Sequence, residues 1–153
     1  MRTNLILIDG NKMDMLFSKK VLSNLLPDSN IKVFDRTDDV WSFFSKESDV
    51  LTEYGICIPN IILMDVNIPE MSEFEFLEKL NALKAANNQT KVYLLSSTQS
   101  IHNAGYLQKL YHCSGYISKP LNENKINRIL FDFKPYLNEY DYGDCDINLD
   151  LVN

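Results

Sequence analysis

Residues 61–69 read IILMDVNIP, and residues 5–10 read LILIDG. In each, an unbroken apolar run stops at an aspartate, Asp65 in one and Asp9 in the other. Four or five consecutive apolar residues with β-branched members suit a strand buried on both faces, the kind found in parallel sheets covered by helices. Three further runs follow the same rhythm: IKVF at 31–34, KVYLLS at 91–96 and GYIS at 115–118.

The stretches between them carry helical spacing. Met15, Leu16, Val21, Leu22, Leu25 and Leu26 mark a first helix. Val40, Trp41, Phe43 and Phe44 mark a second, extending toward Leu51. Ser72 and Glu75 form a capping box before Phe76, Leu77, Leu80 and Leu83. Ile101, Ala104, Leu107 and Leu110 mark a fourth helix. Ile126, Ile129, Leu130 and Phe133 mark a fifth, expected to stop near Pro135. Strand and helix alternate five times, which predicts an α/β fold: a doubly wound, five-stranded parallel sheet with five helices, flavodoxin-like, in the order 2-1-3-4-5. Residues 1–135 are expected to form the domain. Residues 136–153 carry Glu139, Asp141, Asp144, Asp146 and Asp150 without Lys or Arg and read as an acidic, mobile extension.

Composition excludes several classes. The chain has 153 residues, enough to bury a core as one domain, and 45% are hydrophobic. A formal net charge of −6 argues against a nucleic-acid partner. No apolar run is long enough to span a membrane, and the N-terminus lacks the pattern of a signal peptide, so a cytoplasmic location is expected. Cys57, Cys113 and Cys145 are odd in number and lack metal-ligand spacing, as do His102 and His112.

In open α/β sheets, ligands bind beyond the carboxyl ends of the strands, where strand order reverses. The expected order brings strand ends at Asp9, Asp65 and Ser96, and the segment entering Lys119, toward one crevice. A single aspartate after a strand is ordinarily a turn or helix cap, and a single Lys-Pro is ordinarily loop. Their joint placement points to a site. Paired carboxylates repel unless a cation joins them. Lys119 provides one charge, and hard oxygen ligands suit Mg²⁺. Such a set would let a carboxylate attack a phosphoryl group.

On the motifs LILIDG, IILMDVNIPEMSEFEFL, VYLLSS and GYISKPL, the chain resembles a response-regulator receiver domain over residues 3 to 134. The resemblance implies a two-component phosphorelay, with Asp65 accepting a phosphoryl group from a histidine kinase or phosphotransfer protein. It implies a Mg²⁺ site of Asp9, Asp65 and the Asn67 backbone carbonyl. It gives Ser96 and Lys119 to the phosphoryl oxygens, and Ser96 with Tyr116 to a conformational switch. Pro120 matches a proline that follows a cis peptide. A stand-alone receiver of this kind would signal by phosphorylation-dependent contact with a downstream protein, with a second copy of the chain as a further possible partner. The resemblance implies a phosphoacceptor and not an enzyme.

Two departures qualify the resemblance. The family commonly has an acidic pair after the first strand, and this chain reads Asp9-Gly10. Ser72-Glu73 stands where an Asp-Gly pair is common. Gly10 should weaken Mg²⁺ binding, with Asp9, Asn11 or Glu70 compensating through water. The alternative is a pseudo-receiver, a protein-binding module with little or no Mg²⁺-dependent phosphorylation. A phosphatase with Asp9 as nucleophile would need a second aspartate where Asn11 stands.

Overall fold

The computed structural model describes residues 3–43, 61–68, 75–79, 81, 90–97 and 113–137, with backbone alone over 133–137. Five strands form one sheet: β1 Asn4–Ile8, β2 Asn30–Phe34, β3 Ile61–Asp65, β4 Lys91–Ser96 and β5 Gly115–Ser118. Their order is β2-β1-β3-β4-β5, and every adjacent pair is parallel. This is the predicted doubly wound α/β topology.

The composition of each strand follows from its place. β1, β3 and β4 are the near-continuous apolar runs and lie in the middle of the sheet, where Ile61–Met64 and Val92–Leu95 are almost wholly buried. The edge strands β2 and β5 are mostly half-buried, with Tyr116 exposed, and they tolerate polar residues.

Side chains alternate across a strand, so odd and even positions serve opposite faces. Leu5, Leu7, Ile61, Leu63, Tyr93 and Leu95 pack with Leu22 and Leu26 of the first helix (Lys12–Leu25 and its cap) and with Ile126 and Ile129 of the last helix (Glu123–Leu137). Ile6, Ile8, Ile62, Met64, Val92 and Leu94 pack on the other side with Val40, Phe76 and Leu77 from the helical segments at 37–43 and 75–79. Trp41 stacks at a tilt on Phe76, with centroids 5.2 Å apart, and so belongs to this second face.

The structure corrects two details. Leu16 is 59% exposed and does not join the core stripe. The inward line runs through Met15, Ser18, Leu22 and Leu26, and Leu16 lies about 100° around the helix from Met15. Ser18 takes a buried position despite its hydroxyl. The last helix continues through Pro135 to Leu137. A proline removes one N–H bond and crowds the carbonyl four residues earlier; both effects act on the turn before it, and here two more residues follow. Ser72 of the expected capping box, the expected fourth helix, the Phe133 side chain, Cys57, Cys145 and the acidic tail lie outside the described residues. Cys113 is buried and forms no disulfide among the described residues.

Leu63→Ala is expected to cost about 2–5 kcal/mol, because it empties a fully buried position. Leu16→Ala should stay within about 0.5 kcal/mol. Urea unfolding of both variants checks the contrast. Similar midpoints for the two would contradict the face assignment.

Candidate functional site

Alternation also decides where the charged residues point. Asp9 continues the series Leu5, Leu7. Asp65 continues Ile61, Leu63, and Lys119 continues Ile117. All three therefore emerge on the face covered by the first and last helices, at the carboxyl end of the sheet. Backbone bonds extend the sheet just past the strands to hold them. Asp9 N–H donates to the Phe34 carbonyl at 3.0 Å, Val66 N–H to Leu95 at 2.9 Å, and Lys119 N–H to Ser96 at 2.8 Å.

Each aspartate divides its work between two oxygens. Oδ1 of Asp9 accepts from the Asn11 N–H at 2.9 Å, and Oδ1 of Asp65 accepts from the Asn67 N–H at 3.0 Å. These are Asx turns, which swing the chain out of the strand. Oδ2 of each lies 2.7 Å from the Lys119 ammonium. The turn role and the site role coexist in one carboxylate.

A third carboxylate joins them. Asp14, in the first turn of the first helix, places Oδ2 3.2 Å from Lys119 Nζ. Sequence reasoning did not single it out. The available signal was an acidic residue one turn into a helix that starts directly after Asp9. Asn11 has a different duty from the one expected. Its Oδ1 caps this helix, accepting from the Met13 and Asp14 N–H groups. Lys125 is also newly recognised. Its ammonium donates to the carbonyls of Ser118 at 2.7 Å and Pro120 at 2.8 Å, clasping the segment that carries Lys119. Asn122 caps the helix that presents Lys125, accepting from the Lys125 N–H at 3.0 Å. The Lys119–Pro120 peptide is cis.

Ser96 is fully buried, and its hydroxyl has no hydrogen-bond partner among the described residues. It follows Leu94 on the opposite face of β4 from Asp65's neighbour Leu95. Tyr116 registers with Leu94, so Ser96 and Tyr116 share that face; Tyr116 is 45% exposed. Asn67 and Gly10 are exposed at the rim. Pro69 and Glu70 lie outside the described residues.

Burial is the main influence on Asp9 and raises its pKa above the ordinary aspartate range, with the Asp65 charge adding to it. Lys119 and the Asn11 N–H act in the opposite direction without cancelling it. Burial disfavours the Lys119 ammonium, but its hydrogen bonds to Asp65 and Asp9 and their charges outweigh that, and its pKa is raised.

The profile of the Response regulator receiver domain family matches residues 6–131. The chain belongs to that family, whose members are phosphoacceptor modules of two-component signalling rather than catalytic enzymes. A search of curated proteins returned no match. Among solved structures, a two-component response regulator from Cytophaga hutchinsonii is similar at 18% identity and a TM-score of 0.73, over 88% of this chain and 99% of that one. One from Legionella pneumophila is similar at 16% identity and a TM-score of 0.68, over 87% and 98%. The BeF3-activated DrrB receiver domain is similar at 18% identity and a TM-score of 0.60, over 88% and 99%. At these identities the structural likeness speaks to the fold.

Receiver domains typically bind Mg²⁺, and the donor set here is compatible with it. Mg²⁺ needs only one or two protein carboxylates and keeps several waters. Asp9 is wholly buried, and its Oδ2 meets Lys119 as an ion pair without a further hydrogen bond among the described residues. Its raised pKa marks a carboxylate with less positive charge around it than its burial demands. Among the described residues, no three Asp, Glu, His or Cys side chains surround a vacant point as metal ligands. The three carboxylates converge on the ammonium instead.

Because folding raises the pKa of Asp9, the folded state binds more protons between the unfolded and folded values, and stability falls as pH rises through that interval. At neutral pH, ionised Asp9 therefore opposes folding of the metal-free chain. Asp9→Asn should raise the melting temperature in chelator at pH 7 by about 2–4 °C. Below the ordinary aspartate range the advantage should vanish. Differential scanning calorimetry at the two pH values checks both statements.

Proposed function

We propose that this protein is a phosphorylatable receiver: Asp65 accepts a phosphoryl group from the phosphohistidine of a histidine kinase or phosphotransfer protein. The observation that carries this reading is the Lys119 ammonium, 2.7 Å from both Asp9 and Asp65 at the strand ends of the switch point. Receiver-family membership makes a histidine kinase the general class of donor.

In the proposed reaction a carboxylate oxygen of Asp65 forms a bond to phosphorus while the bond from phosphorus to the imidazole nitrogen breaks. The leaving imidazole keeps the electron pair and takes a proton from solvent. Lys119 holds the Asp65 carboxylate beforehand and then faces a phosphoryl oxygen, so positive charge stays where negative charge develops. Asp9, Asp65 and the Asn67 carbonyl would hold Mg²⁺. When bound, the ion would neutralise charge on the phosphoryl oxygens.

Ser96 is suited to report the event. A buried hydroxyl without a partner gains a hydrogen bond if it turns to a phosphoryl oxygen. Tyr116 lies on the same face of the adjacent strand and is exposed. Phosphorylation would then bias a two-state equilibrium on the β5 side and alter contact with a downstream protein. The groove there has a volume of about 400 Å³ and is lined in part by Tyr116, Lys125, Arg128 and Asp132. We place this activity in the cytoplasm. No helix among the described residues is long and apolar enough to cross a membrane.

The competing reading, a pseudo-receiver without phosphotransfer, draws on Gly10, which removes an acidic group where the family commonly has one. Asp65, Ser96 and Lys119 favour phosphorylation.

Incubation with a small phosphodonor and Mg²⁺ should add one phosphoryl group by intact-mass spectrometry. Asp65→Asn should abolish the addition, and a chelator should suppress it. Gly10→Asp should lower the Mg²⁺ needed for half-labelling by at least about tenfold, the smallest effect expected for a lost metal-site partner. Failure to label under any donor, with partner binding unchanged in Asp65→Ala, would favour the pseudo-receiver.

A further inference from the structure

Gly10 leaves the Mg²⁺ site one negative charge short of the family pattern, yet the charge around Lys119 is not short. Asp9, Asp65 and Asp14 all bring an oxygen to the same ammonium, at 2.7, 2.7 and 3.2 Å. Three carboxylates and one lysine leave a local charge of −2. One divalent cation neutralises that charge in full. With Asp14 absent, the remaining pair and Lys119 would carry −1.

Asp14 could be no more than a first-turn acid, favoured there by the helix dipole. Its geometry argues for more. An acid serving only the dipole needs no side-chain partner, whereas Asp14 reaches to a lysine 105 residues away in sequence. Asn11 already fills the capping role, and its Oδ1 accepts from the Asp14 N–H. The Asp14 carboxylate is thus spare from capping and is turned toward the site. It is also half-exposed, with a side-chain accessibility of 49%, so it borders water and the buried pair at once.

We infer that Asp14 supplies the Mg²⁺ site with the negative charge that Gly10 cannot, acting on the hydrated ion through its water shell. This deepens the phosphorylatable-receiver reading and rests on it. A carboxylate at the rim suits a cation that keeps most of its waters. It is also consistent with the absence, among the described residues, of three side chains grouped as direct ligands. The acidic pair of the family would here be split between a strand end and a helix turn.

The test is Mg²⁺ binding by the full chain without phosphodonor, read by isothermal titration and by the rise in melting temperature. Asp14→Asn should raise the half-saturating Mg²⁺ about tenfold, the lower end for a partner acting one shell from a metal. Asp39→Asn removes the same charge at an exposed position on the other side of the sheet and should change it by less than about twofold, as screening dictates. Gly10→Asp in the Asp14→Asn chain should restore the wild-type value. Equal binding by Asp14→Asn and wild type, with binding lost in Asp9→Asn and Asp65→Asn, overturns this inference and leaves the receiver reading standing. An equal loss in Asp14→Asn and Asp39→Asn also overturns it, as a generic charge effect. A wild-type chain without saturable Mg²⁺ binding overturns both the inference and the Mg²⁺-dependent reaction.

Discussion

The Lys119 ammonium holds together charges that the fold would otherwise drive apart. β1 and β3 are adjacent, parallel and in the middle of the sheet, so aspartates at their carboxyl ends must be buried and close. Two buried carboxylates are unfavourable through desolvation and mutual repulsion. Lys119 reaches both from the end of β5 and offsets part of each cost. Much of the surrounding structure serves to keep it there: the Ser96 carbonyl accepts its N–H, and Lys125 clasps the carbonyls on either side of it.

Asp9 shows that the compensation is incomplete, since its pKa remains raised with Lys119 in place. In the proposed Mg²⁺ site, that residual imbalance would favour a cation. A fully neutralised cluster would gain little from an ion. A cluster left at −2 would gain more, and on the proposed reading the same protein atoms would exchange a lysine contact for a metal or a phosphoryl contact. On that reading the same three carboxylates would set the stability of the chain against its affinity for a cation.

The strands and most of the site could be read from the chain because period-2 alternation carries both. The pattern that buries Leu5 and Leu7, or Ile61 and Leu63, also fixes the face on which Asp9 and Asp65 emerge. The first helix was less transparent. Its apolar residues cover more than one face, and Leu16 looks like its neighbours until packing leaves it in solvent while Ser18 goes inside. Pro135 signalled a stop that the backbone passes by two residues. Asn11 looked like a spare donor for the metal site, but helix formation claims its side-chain oxygen.

Sequence alone determined the class of fold and the central position of β1, β3 and β4, and it pointed to Asp9, Asp65 and Lys119 as strand-end charges that would meet, because each depends on local runs and their spacing. Only the tertiary structure brought in Asp14 and Lys125. Each sits on a helix, and what a helical side chain reaches depends on how that helix lies across the sheet. That angle is set by the whole core, and no local pattern in the chain records it.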